Sequence, residues 1–306
     1  MNTAEGTLFV DDSHGTPLAE VEIHPDLVRS LLLEQHPDLA DLAIRTVASG
    51  WDNVMLRLGE EFVVRMPRRS LAATLIVHEQ RWLPDLAPRL PLPIPVPVRV
   101  GLPGFGYPWR WSVLRWLQGT AADFAAPRAD QGPVLGEFLR ALHTAPPLDA
   151  PHNPYRGVPL QQRRTAVEDR LERAAQTTDC ISPAIRELWK QALAAPLDTA
   201  PTWIHGDLHS RNVLVDEGAI CAVIDWGDVA QGDKATDLAS IWNLLPEATS
   251  RAAAIEAYSP VSEAVWQRAR GWAVAFGVML LDSGMVNDPR LAAAGALTLR
   301  RLTEGP

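Results

Sequence analysis

The chain has 306 residues, 47% of them hydrophobic, enough for two packed lobes rather than one small domain. Its net charge of -9 weighs against nucleic acid or an anionic membrane as a partner, and suits a cationic small substrate. The two cysteines, Cys180 and Cys221, fit a reducing compartment; residues 1–12 lack a basic-then-apolar leader, and the apolar run 272–281 is too short to span a bilayer, so a cytoplasmic protein is expected.

In chain order, Leu27, Val28, Leu31 and Leu32 space an amphipathic helix over 25–35. A strand over 42–48 leads into the turn Ser49-Gly50-Trp51-Asp52-Asn53, and strands 54–58 and 62–66 form a hairpin across Gly59-Glu60-Glu61. The second of these strands carries Arg65; the chain's two lysines, Lys190 and Lys234, lie far from it. A helix over 70–83 takes Ser70 as its N-cap and includes Glu79. Residues 90–97 alternate with proline, so they are expected to run extended over this lobe into a strand at 96–100.

A strand over 109–117 ends in Leu114-Arg115-Trp116-Leu117-Gln118-Gly119. Beyond it the pattern turns helical: a core helix over 131–143, a Pro-rich connector at 146–159, a charged helix over 163–175 and a further helix over 185–193. Further helices are expected over 238–245, 251–258, 262–282 and 289–302.

Between these helical stretches, two apolar runs at 213–215 and 219–224 flank Asp216-Glu217-Gly218, a three-residue hairpin loop with Gly at the left-handed position. The hairpin returns Asp225 beside the loop that carries Asp207 and Asn212. Three short oxygen-bearing side chains then converge. Mg²⁺ takes hard oxygen ligands and keeps room for water and phosphate, and a separate carboxylate can accept a hydroxyl proton. His205, Asp207 and His209 also have the chemical types of a hydrolase metal site, although the other histidines form no second cluster.

The string His205-Gly206-Asp207-Leu208-His209-Ser210-Arg211-Asn212 resembles the aminoglycoside phosphotransferase family. So do Ile224-Asp225-Trp226-Gly227-Asp228 and the block running from Gly232-Asp233 to Asp237-Leu238-Ala239. The resemblance implies an α+β, two-lobed, protein-kinase-like fold. Its small N-terminal antiparallel-sheet lobe would be 1–117, its hinge near 115–119, and its larger, mainly helical lobe 118–306. It implies Asp207 as catalytic base, Asn212 and Asp225 as Mg²⁺ ligands, Asp237 as a buried brace of the loop, and His205 and His209 as structural. Ser49 and Gly50 would meet the phosphates of ATP or GTP, Arg65 would replace the usual lysine and pair with Glu79, and Leu114, Arg115 and Leu117 would hold the base.

The implied activity is Mg-dependent transfer of the γ-phosphate to a hydroxyl of a small molecule by a monomer or dimer. An aminoglycoside or related antibiotic leads, with choline-, homoserine- or sugar-type alcohols as the alternative. Asp228, Glu256, Glu263 and Asp282, with Glu247 and Asp288, are the candidates for gripping an amine-bearing acceptor. A metallohydrolase and a non-catalytic nucleotide-binding module remain open, although no P-loop occurs.

Overall fold

The structure, a computed structural model of the chain, describes residues 18–50 and 52–305. The leader reading at 1–12 and Trp51 of the expected turn lie outside the described residues. Helix α1 (Pro25–Gln35) has proline in its first turn and His24 as its cap, whose Nδ1 accepts from Leu27 N at 3.3 Å. Strands β1 (Ile44–Ser49), β2 (Asn53–Leu58) and β3 (Phe62–Pro67) follow as an antiparallel meander, then helix α2 (Ser70–Leu86). Strands β4 (Pro97–Gly101) and β5 (Trp111–Arg115) complete a sheet in the order β1-β2-β3-β5-β4. Val28, Leu31 and Leu32 of α1 pack with Leu56, Val64, Trp111 and Val113 to close this lobe's core.

Three local expectations are revised here. Ser70 does not cap α2; its backbone N–H and hydroxyl both donate to the Glu20 carboxylate, at 3.1 and 3.0 Å. Helix α2 continues through Pro84 to Leu86, because Trp82, Leu83 and Leu86 insert into the larger lobe's core, with Trp82 against Trp203 at 5.1 Å. The proline stretch crosses to the larger lobe: Pro93 O accepts from Val223 N at 3.0 Å and Ile94 is buried there. The small lobe is thus stapled to the large one at two places besides the chain connection after β5.

The larger lobe opens with β6 (Thr120–Ala121), α3 (Gly132–Leu142), α4 (Arg164–Ala175) and α5 (Pro183–Ala194). Strands β7 (Thr202–Ile204), β8 (Val213–Asp216), β9 (Ala219–Val223) and β10 (Ala230–Gly232) make two small antiparallel sheets, β6-β8-β9 and β10-β7. One expected helix over 238–245 is two short ones, α6 (Ala235–Leu238) and α7 (Ser240–Leu244), followed by α8 (Ala248–Tyr258). Helix α9 (Glu263–Asn287) runs past its expected end at 282 and is buried on most sides by α4, α5, α6 and α10 (Pro289–Arg301). Ser182, Ser262 and Asp288 cap α5, α9 and α10 by accepting from the backbone three residues on. Among the described residues no helix is long and apolar enough to cross a membrane.

Candidate active site

The loop after β7 is fixed from below. The wholly buried Asp237 accepts from His205 N at 2.6 Å and from Gly206 N at 2.9 Å, one oxygen to each. His205 Nε2 donates to Ile224 O at 3.0 Å, its Nδ1 accepts from Asp207 N at 3.2 Å, and its ring lies 4.7 Å from Trp226. Both ring nitrogens are therefore committed to the backbone, and neither offers a lone pair to a metal in this arrangement. His209 Nδ1 takes Arg211 N–H at 3.2 Å, which leaves Nε2 as the N–H facing Asp207 Oδ2 at 3.3 Å. Gly206 has φ 86°, and a Cβ there would meet Asp228 O at 2.7 Å, so this corner tolerates little but glycine.

Asp207 is the hub. Asn212 Nδ2 donates to its carbonyl at 2.8 Å and to its Oδ2 at 3.2 Å, and Arg156 Nη2 donates to its Oδ1 at 2.9 Å. Burial pushes this carboxyl up, but the opposing pull of His209 and Arg156 holds it well below the usual carboxylate range. Arg156 has no counterpart in the sequence reading. An Asx turn positions it: Asn153 Oδ1 accepts from Tyr155 N and Arg156 N, while Asn153 Nδ2 donates to Asp228 Oδ1 at 2.6 Å. The turn is clamped on β10 where Gly157 and Gly232 meet; a Cβ on Gly232 would lie 2.6 Å from Gly157 Cα. The signal was an Asn three residues before an Arg-Gly pair, inside a Pro-rich connector.

The β8–β9 hairpin brings Asp225 back as its spacing implies. Ile224 N donates to Asn212 O at 2.8 Å, so Asn212 and Asp225 stand at the same edge. Asp225 is left-handed at φ 62°, which drives Trp226 into the core while the carboxylate stays half exposed. Arg65 bridges the lobes: Nη2 lies 2.8 Å from Asp225 Oδ1 and 3.1 Å from Glu79 Oε1. Burial outweighs the pull of Arg65 and pushes Glu79 up to about 7. Asp228 is pushed up to about 6, by burial first and then by Asp207, against Arg156.

The donor set suits Mg²⁺: two hard side-chain oxygens, few enough to leave positions for water and phosphate. Among the described residues no group of three or more His, Cys, Asp or Glu could hold a metal ion. Ser49 and Gly50 are exposed, and Gly50 N already donates to Asn53 O at 2.9 Å. Leu114 is buried on β5, Arg115 is exposed with Glu61 3.7 Å away, and Leu117 is half-buried. The amine-gripping candidates are not gathered. Glu247 and Glu256 are exposed at or on α8, which packs on α3 and α7, and Glu263 pairs with Arg270 at 3.2 Å. Asp282 is taken by Arg173 at 2.6 Å and Arg170 at 3.6 Å, while Asp288 caps α10 and accepts from Arg211 of the loop at 2.8 Å.

A family model described as the phosphotransferase enzyme family matches residues 43–272, well over half of the chain. An aminoglycoside 3'-phosphotransferase of Escherichia coli is 32% identical over 116 residues, 37% of this chain and 43% of that protein. The match thus spans less than half of that relative's length. The solved GDP complex of wild-type aminoglycoside 2'-phosphotransferase-IIIa superposes with a TM-score of 0.66 at 16% identity, covering 92% of this chain and 99% of the other. The apoenzyme of a macrolide 2'-phosphotransferase from Brachybacterium faecium gives 0.56 at 24% identity, covering 90% and 97%. At these identities the likeness of the solved structures is one of fold.

Proposed function

This chain belongs to the phosphotransferase enzyme family, and from that premise we propose that it transfers the γ-phosphate of ATP or GTP to a hydroxyl of a small molecule. The observation that carries the reading is the convergence of Asp207, Asn212 and Asp225 at one edge of the hairpin. In the reaction the hydroxyl oxygen bonds to the γ-phosphorus as the bond from that phosphorus to the β–γ bridging oxygen breaks. The nucleoside diphosphate leaves and the hydroxyl proton passes to Asp207. A carboxylate held ionised by Arg156 and His209 is a weak base, so its main work is to orient the hydroxyl and receive the proton late.

Asn212 and Asp225 would hold Mg²⁺, which when bound neutralises charge between the β- and γ-phosphates. Arg65, steadied by Glu79, would reach the phosphates in place of the usual lysine, with bidentate geometry rather than a point charge. Ser49 and Gly50 would line the phosphate side, and Leu114, Arg115 and Leu117 the base. His205, His209 and Asp237 would keep the loop in shape. Residues 1–117 would form the nucleotide lobe and 118–306 the acceptor lobe, swinging about 115–119. Helix α2 and the 90–97 segment limit that swing, because both are anchored in the large core. The two free cysteines and the need for a nucleoside triphosphate favour a cytoplasmic setting.

The test is transfer of labelled γ-phosphate from Mg-ATP and Mg-GTP across a panel of alcohols. Aminoglycosides and macrolides come first, because relatives carry those names. Failure to label any hydroxyl compound, with nucleotide consumption equal in the wild type and Asp207→Asn, removes the reading.

A further inference from the structure

Arg211 stands next to Asn212, in a turn closed by Asn212 N donating to His209 O at 2.9 Å. Its side chain leaves the loop and ends between two carboxylates from distant parts of the chain. Nε donates to Asp123 Oδ2 at 3.3 Å, just beyond β6, and Nη2 donates to Asp288 Oδ1 at 2.8 Å, at the corner between α9 and α10. Arg290, in the first turn of α10, donates to the same Asp123 oxygen. Charges therefore alternate from the corner to the loop and back, in the order Asp288, Arg211, Asp123, Arg290. The backbone repeats the tie, since Asp123 N donates to Ser210 O at 3.2 Å.

This is not a solvated surface pair. The Asp123 side chain is only 3% exposed and its Oδ1 has no hydrogen-bond partner, so the charge is held there by its two guanidiniums. Asp288 is fixed independently of Arg211: its N–H donates to Gly284 O at 2.9 Å to end α9, and its Oδ1 accepts from Leu291 N at 3.1 Å to cap α10. The anchor is thus rigid. Asn212 spends its Nδ2 on Asp207 and its carbonyl on Ile224 N, so Oδ1 is the atom left for a cation. Where that oxygen points depends on the turn at 209–212, whose neighbour Arg211 ties it to the corner. Helix α9 also meets the loop from its other flank. Phe276 and Met279 lie against Arg156, at 4.9 Å from the ring centroid and 3.8 Å from the sulfur, and Arg156 meets Asp207. One helix therefore steadies Asp207 and Asn212, through a different arginine for each.

We propose that Arg211 is a positioning residue for the metal–nucleotide complex: held by Asp123 and Asp288, it fixes the turn so that Asn212 Oδ1 and Asp225 serve one Mg²⁺. It touches neither nucleotide nor metal and acts through the backbone of Asn212. This assignment rests on the phosphotransfer reading, which supplies the metal-bound nucleotide, and adds the α9–α10 corner to the groups that set its affinity. A positioning role and a plain charge effect have different signatures. Loss of a cation that meets the phosphates weakens nucleotide binding with and without metal alike, whereas loss of positioning weakens only the metal-dependent part.

Calorimetric titration of the full chain with ADP, once in Mg²⁺ and once in EDTA, reads this without turnover. Wild type is expected to bind ADP more tightly with the metal. In Arg211→Gln the ratio of the two affinities is expected to shrink about fivefold, the upper end for a partly exposed ion pair, with the affinity in EDTA unchanged. Arg211→Lys restores part of the ratio, because an ammonium meets one carboxylate but not both. Asp288→Asn approaches the same tie from its far end. Asparagine caps a helix as well as aspartate does, so α10 keeps its cap while Arg211 loses a charged partner, and the ratio is expected to shrink in the same direction. An unchanged ratio in Arg211→Gln and Asp288→Asn, with Mg-ADP still bound, overturns the positioning role and keeps the phosphotransferase reading. Equal weakening in Mg²⁺ and in EDTA assigns Arg211 to the phosphates and overturns the role as well. A wild type that binds no ADP in either condition removes the phosphotransfer reading, and this inference with it.

Discussion

Two neighbouring regions of the large lobe treat their polar groups in opposite ways. Along the 205–212 loop, donors meet protein acceptors: His205 and Gly206 N–H on Asp237, His205 Nε2 on Ile224 O, Asn212 on Asp207. Between α4 and α9, by contrast, Arg163 has no carboxylate within ion-pair distance among the described residues, and the Trp272 indole N–H has no hydrogen-bond partner. The loop is complete before any ligand arrives, as chemistry requires when reorganisation would cost rate.

The comparison breaks most visibly at Asp207. Asp207→Asn keeps the shape but loses the carboxylate proposed to receive the proton and the charge that Arg156 meets. Turnover is expected to fall by about 10²–10⁴, the range for a lost general base, with the nucleotide KM nearly unchanged. Steady-state kinetics with varied Mg-nucleotide decide it; turnover within twofold of wild type would assign the proton to another group. Next comes the brace. Asp237→Ala strips the acceptor from two buried N–H groups, at about 1–3 kcal/mol for each orphaned donor. A lower urea midpoint together with lost activity is expected, whereas an unchanged midpoint would mean that the loop is held elsewhere.

A smaller effect tests how the two regions are coupled. Gly232→Ala puts a methyl against Gly157, so the backbone of the 153–157 turn must move and Arg156 with it. A loss of about 1–3 kcal/mol is expected, as for overpacking in a core, and the acceptor KM rises because Arg156 no longer meets Asp207. Unfolding and acceptor kinetics on the same preparation separate the two consequences. A stability loss with an unchanged acceptor KM would uncouple the turn from the site.

What was legible in the sequence follows this division. Asp207, Asn212 and Asp225 were readable because a three-residue hairpin loop is local: it fixes where Asp225 returns without help from the rest of the fold. The Arg65–Glu79 pair was readable only through the family resemblance, which places an acidic partner on the helix after the strand that carries the cation; the two side chains meet at 3.1 Å. Arg156 was not, because its place depends on Gly157 meeting Gly232 and on Gln231 pairing with Pro151, contacts between segments some 75 residues apart. Arg163 and Arg170 were read only as part of a charged helix over 163–175, since seven-residue spacing of charge carries no sign of what covers it. The partners of Asp282 were hidden for the same reason: its arginines come from another helix. Trp82 and Leu86 likewise carried α2 past Pro84 through burial in the other lobe.

The phosphate side offers a milder substitution. Arg65 is shared between Glu79 and Asp225, so Arg65→Lys keeps a charge but cannot reach both carboxylates with one planar group. The nucleotide KM is expected to rise and kcat to fall by a few-fold each, and Arg65→Ala to do more. Equal behaviour of the Lys and Ala variants would mean that shape, not charge, is what Arg65 supplies.

The smallest expected effect carries the most information about the acceptor. Asp282 of α9 neutralises Arg173 and part of Arg170 of α4, in pairs that are partly exposed and so worth little to stability, about 0–1 kcal/mol. Asp282→Asn therefore leaves folding almost untouched while making this side of the large lobe more positive by one charge. If the acceptor is anionic, its KM falls by a few-fold and its dependence on NaCl steepens, because an added field is screened within about 10 Å at 0.1 M salt. If the acceptor is a polyamine, the same change raises KM, since one attractive carboxylate has gone and a guanidinium has been uncovered. A neutral alcohol responds to neither the mutation nor the salt. KM for the best acceptor, measured in both proteins across a salt series, thus reports the sign of the acceptor's charge.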